Sequence, residues 1–142
     1  MNNNKRIVIT GLGTLNAVAN NVQGFTRALR EGVCGIKPID LFDTKEFRSK
    51  NGGQIKNFIA RDYIPNDFPL KRMLRADQLS FAATLEALVD AGLYPLSNQS
   101  SEEMGVAIGG GSGGLWEAEN FYSNLLKKGV RRARFSELSS VF

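Results

Sequence analysis

Met104-Gly105-Val106-Ala107-Ile108-Gly109-Gly110-Gly111-Ser112-Gly113-Gly114-Leu115-Trp116 is a short apolar run that ends in five glycines broken only by Ser112. Val106 to Ile108, bounded by glycine, suits a buried strand. Glycine at this density marks backbone that needs positive φ or the close approach of another group. From Leu115 onward, apolar residues recur at Leu115, Ala118, Phe121, Tyr122 and Leu125, the spacing of one helix face. The order is strand, glycine turn, helix. Open α/β sheets place ligands beyond the carboxyl ends of their strands, so this turn is the first candidate for a site.

The same order occurs earlier. Lys5-Arg6-Ile7-Val8-Ile9-Thr10 is a β-branched run without alternation, expected as a central parallel strand, and it ends in Gly11-Leu12-Gly13. Val22, Phe25, Ala28 and Leu29 then mark an amphipathic helix that stops at Gly32. Two such units argue for a layered α/β fold. Between them, Val33 to Phe47 reads as loop, Gly53 to Phe58 as a short strand, and Pro65 and Pro69 as the breaks of a surface excursion. Met73 to Ala91 is the strongest helix, with a second half apolar enough to be buried nearly all round and Gly92 as its terminator.

Gly109-x-Gly111-x-x-Gly114 also spells the dinucleotide fingerprint, after a strand and before a helix. That motif normally sits on the first strand of its domain, and its acidic residue closes a second strand roughly 20 positions on. Here Glu137 lies in Arg134-Phe135-Ser136-Glu137-Leu138, which is no buried strand.

Composition narrows the chemistry. The 142 residues are 42% hydrophobic and 23% charged, ordinary for a globular protein. No apolar run reaches the roughly 20 residues of a membrane span, and the first residues lack a signal-peptide core, which points to the cytoplasm. There is no histidine, and Cys34 is the only cysteine. A histidine-based general base, a triad, a zinc site and an internal disulfide are therefore all excluded from this chain. Cys34, between glycines and without a CxxC partner, reads as a packed or incidental thiol. The net charge of +4 is concentrated in Lys127, Lys128, Arg131, Arg132 and Arg134, and in Lys71, Arg72 and Arg75. Neither group is interleaved with aromatics that would stack bases, which counts against nucleic acid and leaves an acidic protein or a simply solvated basic face.

Two or three strands and three helices do not cover both faces of a parallel sheet. The expectation is one portion of a larger α/β protein. Taken together, Arg6-Ile7-Val8-Ile9-Thr10-Gly11-Leu12-Gly13, Phe42-Asp43, the Lys71 to Arg75 stretch, Asp90-Ala91-Gly92-Leu93 and Ile108-Gly109-x-Gly111-x-Gly113-Gly114-Leu115 resemble, in order and spacing, the β-ketoacyl-acyl-carrier-protein synthases. These are the condensing enzymes of fatty acid and polyketide synthesis. The resemblance runs from Lys5 to about Val141. The departures are Ala17 and Ala19 where the family usually has Pro and Gly, Leu74 in place of an Asp, and Phe135-Ser136-Glu137 in place of Pro-Phe-Phe.

The resemblance implies a partial thiolase-like fold, the first part of the N-terminal βαβα half, incomplete as an independent domain. It implies that residues 1–142 are the N-terminal segment of a synthase. The family's nucleophilic cysteine and two catalytic histidines are not among them, and no cofactor or metal is implied. Cys34 stands where the family commonly has a serine. Ser112 is implied at the floor of the acyl pocket, and Lys71, Arg72, Arg131 and Arg132 at the docking surface for acyl carrier protein. The expected partners are that carrier and the rest of the synthase, with self-association of the piece. A standalone binding module, with a nucleotide at Gly109 to Gly114, is the alternative.

Overall fold

In the computed structural model of the chain, residues 6–96, 104–111 and 114–132 are described. Three α-helices dominate: α1 (Val22–Arg30), α2 (Arg75–Asp90) and α3 (Leu115–Lys128). Single 3-10 turns at Ala60–Asp62, Leu70–Arg72 and Val130–Arg132 punctuate the connections. One small sheet pairs β1 (Ile36–Pro38) with β2 (Asn51–Gly53) antiparallel, with Ile36 opposite Gly53 and Pro38 opposite Asn51.

The helix ends follow local chemistry. The Asn21 side chain accepts the Gly24 amide at 2.7 Å and caps α1. Gly32 (φ 66°), Gly92 (φ 70°) and Gly129 (φ 76°) each occupy the left-handed conformation just past a helix, which a side chain would strain. At the start of α2 the N-cap position belongs to Leu74, which has no oxygen to offer. Instead, Asp77 reaches back and accepts the Leu74 amide at 3.0 Å.

The segment leading into α1 is bound tightly to α2. A Cβ at Gly11 would overlap the Ala87 carbonyl oxygen, and one at Gly13 the Ala83 carbonyl oxygen. Glycine is required here because backbone meets backbone. The segment runs antiparallel to the helix, and two carboxylates one turn apart fix it. Asp90 accepts the Leu12 amide at 2.9 Å, and Glu86 accepts the Thr14 amide at 2.9 Å. The second Glu86 oxygen accepts the Val22 amide, the first N–H of α1, at 2.8 Å. α1 has no acidic residue in its own first turn, so Glu86 also supplies the negative charge that its N-terminus favours.

The structure corrects several expectations. Arg6 to Thr10 and Val106 to Ile108 form no ladder; Ile7 is 97% exposed, Ile9 82% and Val106 79%. A strand exists only through its neighbour, and no described residue pairs with either run. The sheet that does form takes in Ile36–Pro38, expected as loop, and Asn51–Gly53, which stops where the short strand was expected to begin. α2 fully buries only Ala82, at its middle; its second half has no fully buried residue, and Val89 is exposed. The excursion expected at Pro65 to Pro69 does lie at the surface, with Asn66 to Pro69 exposed, but core residues anchor it. Ile64 is the most deeply buried side chain described, Phe68 packs edge-on against Phe81 at 4.6 Å, and Phe58 lies 5.3 Å from Tyr63. The remaining buried apolar residues are Ala28 and Phe121.

Candidate functional site

The glycine turn before α3 has an unusual setting. Gly109, Gly110 and Gly111 have negative or extended φ, and open space surrounds the position where a Cβ would stand on each. Neither the close backbone approach that requires Gly11 and Gly13 nor the positive φ of Gly32 and Gly92 applies here among the described residues. Ser112, the expected pocket residue, lies outside the described residues, as does Glu137.

Lys71 and Arg72 sit side by side in the turn Leu70–Arg72, immediately before α2, and both are exposed. Neither forms an ion pair among the described residues. Arg75, grouped with them by sequence, is committed locally: it donates to the Ile55 carbonyl at 3.2 Å and lies 5.7 Å over the Phe58 ring. Arg131 is exposed in the turn Val130–Arg132, which packs on the end of α3, and Arg132 closes that turn. The structure thus brings Lys71 and Arg72 together, and Arg131 and Arg132 together. No substantial contact joins the two turns among the described residues.

Lys127 and Lys128 occupy the last turn of α3, where cations complement the carbonyl end of the helix. Leu126 and Val130 lie among these bases with their side chains 84% and 81% exposed. Sequence reading passed over this pair. The available signal was that Leu126 and Val130 continue an apolar tally inside a basic group, beyond the stripe that includes buried Phe121.

Cys34 is exposed rather than packed, its thiol 4.0 Å from the Ile36 carbonyl oxygen. A cleft of about 520 Å³ separates the Phe42 to Phe47 loop from α3, lined by Phe42, Asp43, Phe47, Glu119, Asn120 and Ser123. Beside the small sheet, Lys56 donates to Asp40 at 2.5 Å and Gln54 donates to it at 2.6 Å. The Lys56 hydrogen bond is the main reason that the Asp40 carboxyl titrates below its ordinary value. No described helix is long and apolar enough to cross a membrane.

Comparison with known proteins places this geometry. A family model described as Beta-ketoacyl synthase, N-terminal domain, matches residues 4–140. The 3-oxoacyl-[acyl-carrier-protein] synthase 2 of Vibrio harveyi is 37% identical over 128 residues, covering 90% of this chain and 30% of that protein. The protein of the same name from Staphylococcus aureus (strain N315) is 36% identical over 132 residues, covering 93% of this chain and 31% of that one. Among solved structures, the ishigamide ketosynthase/chain length factor superposes with a TM-score of 0.79 at 26% identity. That superposition covers 95% of this chain and 33% of the other. The chain therefore spans about a third of the length of the proteins it matches.

Proposed function

The chain belongs to the β-ketoacyl synthase family, matching its N-terminal domain and carrying part of its thiolase-like fold, and on that premise we propose that it works as the N-terminal segment of a 3-oxoacyl-[acyl-carrier-protein] synthase. That enzyme joins an acyl group to malonyl-carrier protein with loss of carbon dioxide, in fatty acid or polyketide synthesis. Residues 1–142 contribute scaffold, part of the acyl-pocket wall and part of the carrier docking surface, in the cytoplasm.

One observation carries the reading. Ile7 to Ile9 and Val106 to Ile108 are apolar at every position and exposed, while the glycine segment after the first of them is locked onto α2. Apolar runs without charge on either face suit the interior of a parallel sheet. The rest of the synthase supplies the neighbouring strands. Left alone, these runs drive self-association, which light scattering reads as a mass above that of the monomer.

Chemistry points the same way. Thiolate attack on a thioester needs a cysteine of lowered pKa, and stabilising the developing carbanion needs donors such as histidine. The chain has no histidine, and its one thiol sits exposed beside a carbonyl. The purified 142-residue chain is therefore expected to be inactive in a radiolabelled elongation assay. A chimera in which it replaces the matching segment of the Vibrio harveyi relative is expected to form product. Product from the chain alone would overturn the proposal.

Ser112 is assigned to the floor of the acyl pocket, where a small side chain leaves room. Ser112→Phe in the chimera is expected to shorten the longest primer accepted and to spare short ones. An unchanged product profile from an active variant would return Ser112 to a turn residue. Lys71, Arg72, Arg131 and Arg132 are assigned to carrier docking. Charge complementarity acts mainly on the on-rate and fades with salt. Reversing Arg131 and Arg132 to Glu is expected to raise KM for the carrier and leave small thioesters unaffected.

A further inference from the structure

We infer that Asn51-Gly52 is a self-modification site, at which Asn51 converts to aspartate and isoaspartate when the small sheet opens, and that the β1–β2 ladder is what keeps it intact. The inference stands apart from the pocket and docking assignments above.

Every other asparagine in the sequence is followed by a residue with a side chain; Asn51 alone is followed by glycine. Glycine has no Cβ to crowd its own nitrogen, so the Gly52 amide can reach the Asn51 side chain. The Gly52 nitrogen loses its proton and attacks Asn51 Cγ. The N–Cγ bond forms, the Cγ–Nδ2 bond breaks, and the nitrogen leaves as ammonia with the proton. Water then opens the cyclic succinimide at either carbonyl, which leaves aspartate or isoaspartate. Asn51 is exposed, and its side-chain amide has no hydrogen-bond partner among the described residues. Nothing about the side chain itself prevents the reaction.

The backbone does. Asn51 lies opposite Pro38, and Gly52 opposite Lys37. Pro38 has no N–H, so this rung is held by the bonds on either side of it. On one side Ile39 donates to the Lys50 carbonyl at 2.9 Å. On the other, the same antiparallel alternation commits the Gly52 N–H to the Lys37 carbonyl. The attacking nitrogen is therefore occupied by the ladder. Extended backbone, with ψ about +135°, also turns that nitrogen away from Asn51 Cγ. Ser49 Oγ donates to the Asn51 carbonyl at 3.4 Å and holds the opposite edge. Ring closure has to wait until the ladder opens.

Conversion to isoaspartate routes the main chain through an extra carbon, so Gly53 can no longer face Ile36 in register. The hairpin is packed closely where this happens. A Cβ at Gly53 would meet the Ala17 side chain at 3.2 Å, and one at Gly52 the Ile39 side chain at 3.3 Å. Loss of ammonia thus loosens the hairpin from the chain before α1, and refolding does not reverse it.

The test uses the chimera in which the chain replaces the matching segment of the Vibrio harveyi relative, so that the sheet is read inside a complete synthase. Samples are kept in mildly alkaline buffer, native or in guanidinium, and aspartate and isoaspartate at position 51 are quantified by peptide mapping and mass spectrometry. Two ladder bonds must open, so native conversion is expected to be about thirtyfold slower than conversion in guanidinium. Ile39→Pro removes the N–H bonded to Lys50 and, in a variant that still forms product, is expected to bring the native rate toward the unfolded one. Gly52→Ala is expected to slow conversion strongly in both states. Equal native and unfolded rates in wild type would overturn the inference, whether or not the chimera forms product. An active Ile39→Pro variant that converts as slowly as wild type would assign the protection to something other than the ladder and overturn it too. In converted molecules the Ile39 amide is expected to exchange faster than in unconverted ones, and identical exchange would strike out the loosened hairpin.

Discussion

Removing the Glu86 carboxylate should release the segment before α1 without unfolding the rest of the chain. Glu86 accepts two backbone amides, Thr14 at 2.9 Å and Val22 at 2.8 Å, in a part-buried position. Hydrogen bonds to a charged group contribute about 1.5–3 kcal/mol each. Partial solvent access places these two at the low end, so Glu86→Ala should cost about 3 kcal/mol locally. Glu86→Gln keeps one acceptor oxygen but turns an NH₂ toward the other amide, and should cost about half as much. Amide hydrogen exchange resolved by residue is the suitable assay, because local opening is read at the amides concerned. At about 1.4 kcal/mol per tenfold, Thr14 and Val22 should exchange roughly a hundredfold faster in the Ala variant. The Ile39 amide, which donates to the Lys50 carbonyl at 2.9 Å beside the small sheet, should keep its rate. Unchanged exchange at Thr14 and Val22 would refute the clamp. Faster exchange at all three amides would mean that Glu86 supports the whole fold rather than one segment.

Other expectations follow from single contacts. Gly13→Ala forces its methyl into the Ala83 carbonyl and should lower thermal stability by several degrees, whereas Gly110→Ala, in open space, should change it little. Leu74→Asp places an accepting side chain at an N-cap that now lacks one, and should stabilise α2 by about 1 kcal/mol in denaturant titration, less whatever apolar contact Leu74 gives up. A loss of stability there would show that Leu74 packs more than it caps. The Asp40 carboxyl titrates below 3.8 because Lys56 and Gln54 bond its charged form. Its small contribution is therefore complete above that value and disappears as pH falls through the lowered pKa. Lys56→Met should weaken this acid-limb dependence, leaving the part due to Gln54, and an identical pH profile would sink the assignment.

What could be read from the chain alone was whatever neighbouring residues decide among themselves. Three helices and their glycine terminators at Gly32 and Gly92 depend on positions within about one turn, and the structure keeps them, whereas the expected apolar faces are covered only in part, with Leu29, Val89 and Tyr122 exposed. Motif order along the chain was enough to point to the family, because spacing is a property of sequence. Tertiary structure decided the rest. A β-branched run becomes a strand only when another segment satisfies its amides, and Ile7 to Ile9 has the composition without the partner. β1 and β2 pair with Ile36 opposite Gly53 although Asn51-Gly52-Gly53 is poor in strand-forming residues. In the sequence Glu86 and Asp90 were only polar points on a helix, since their partners lie 64 to 78 residues away. Folding turns them into the clamp on Gly11 and Gly13. It also separates glycines pressed against a carbonyl from glycines in open space, a distinction of distance between backbones that no local pattern encodes.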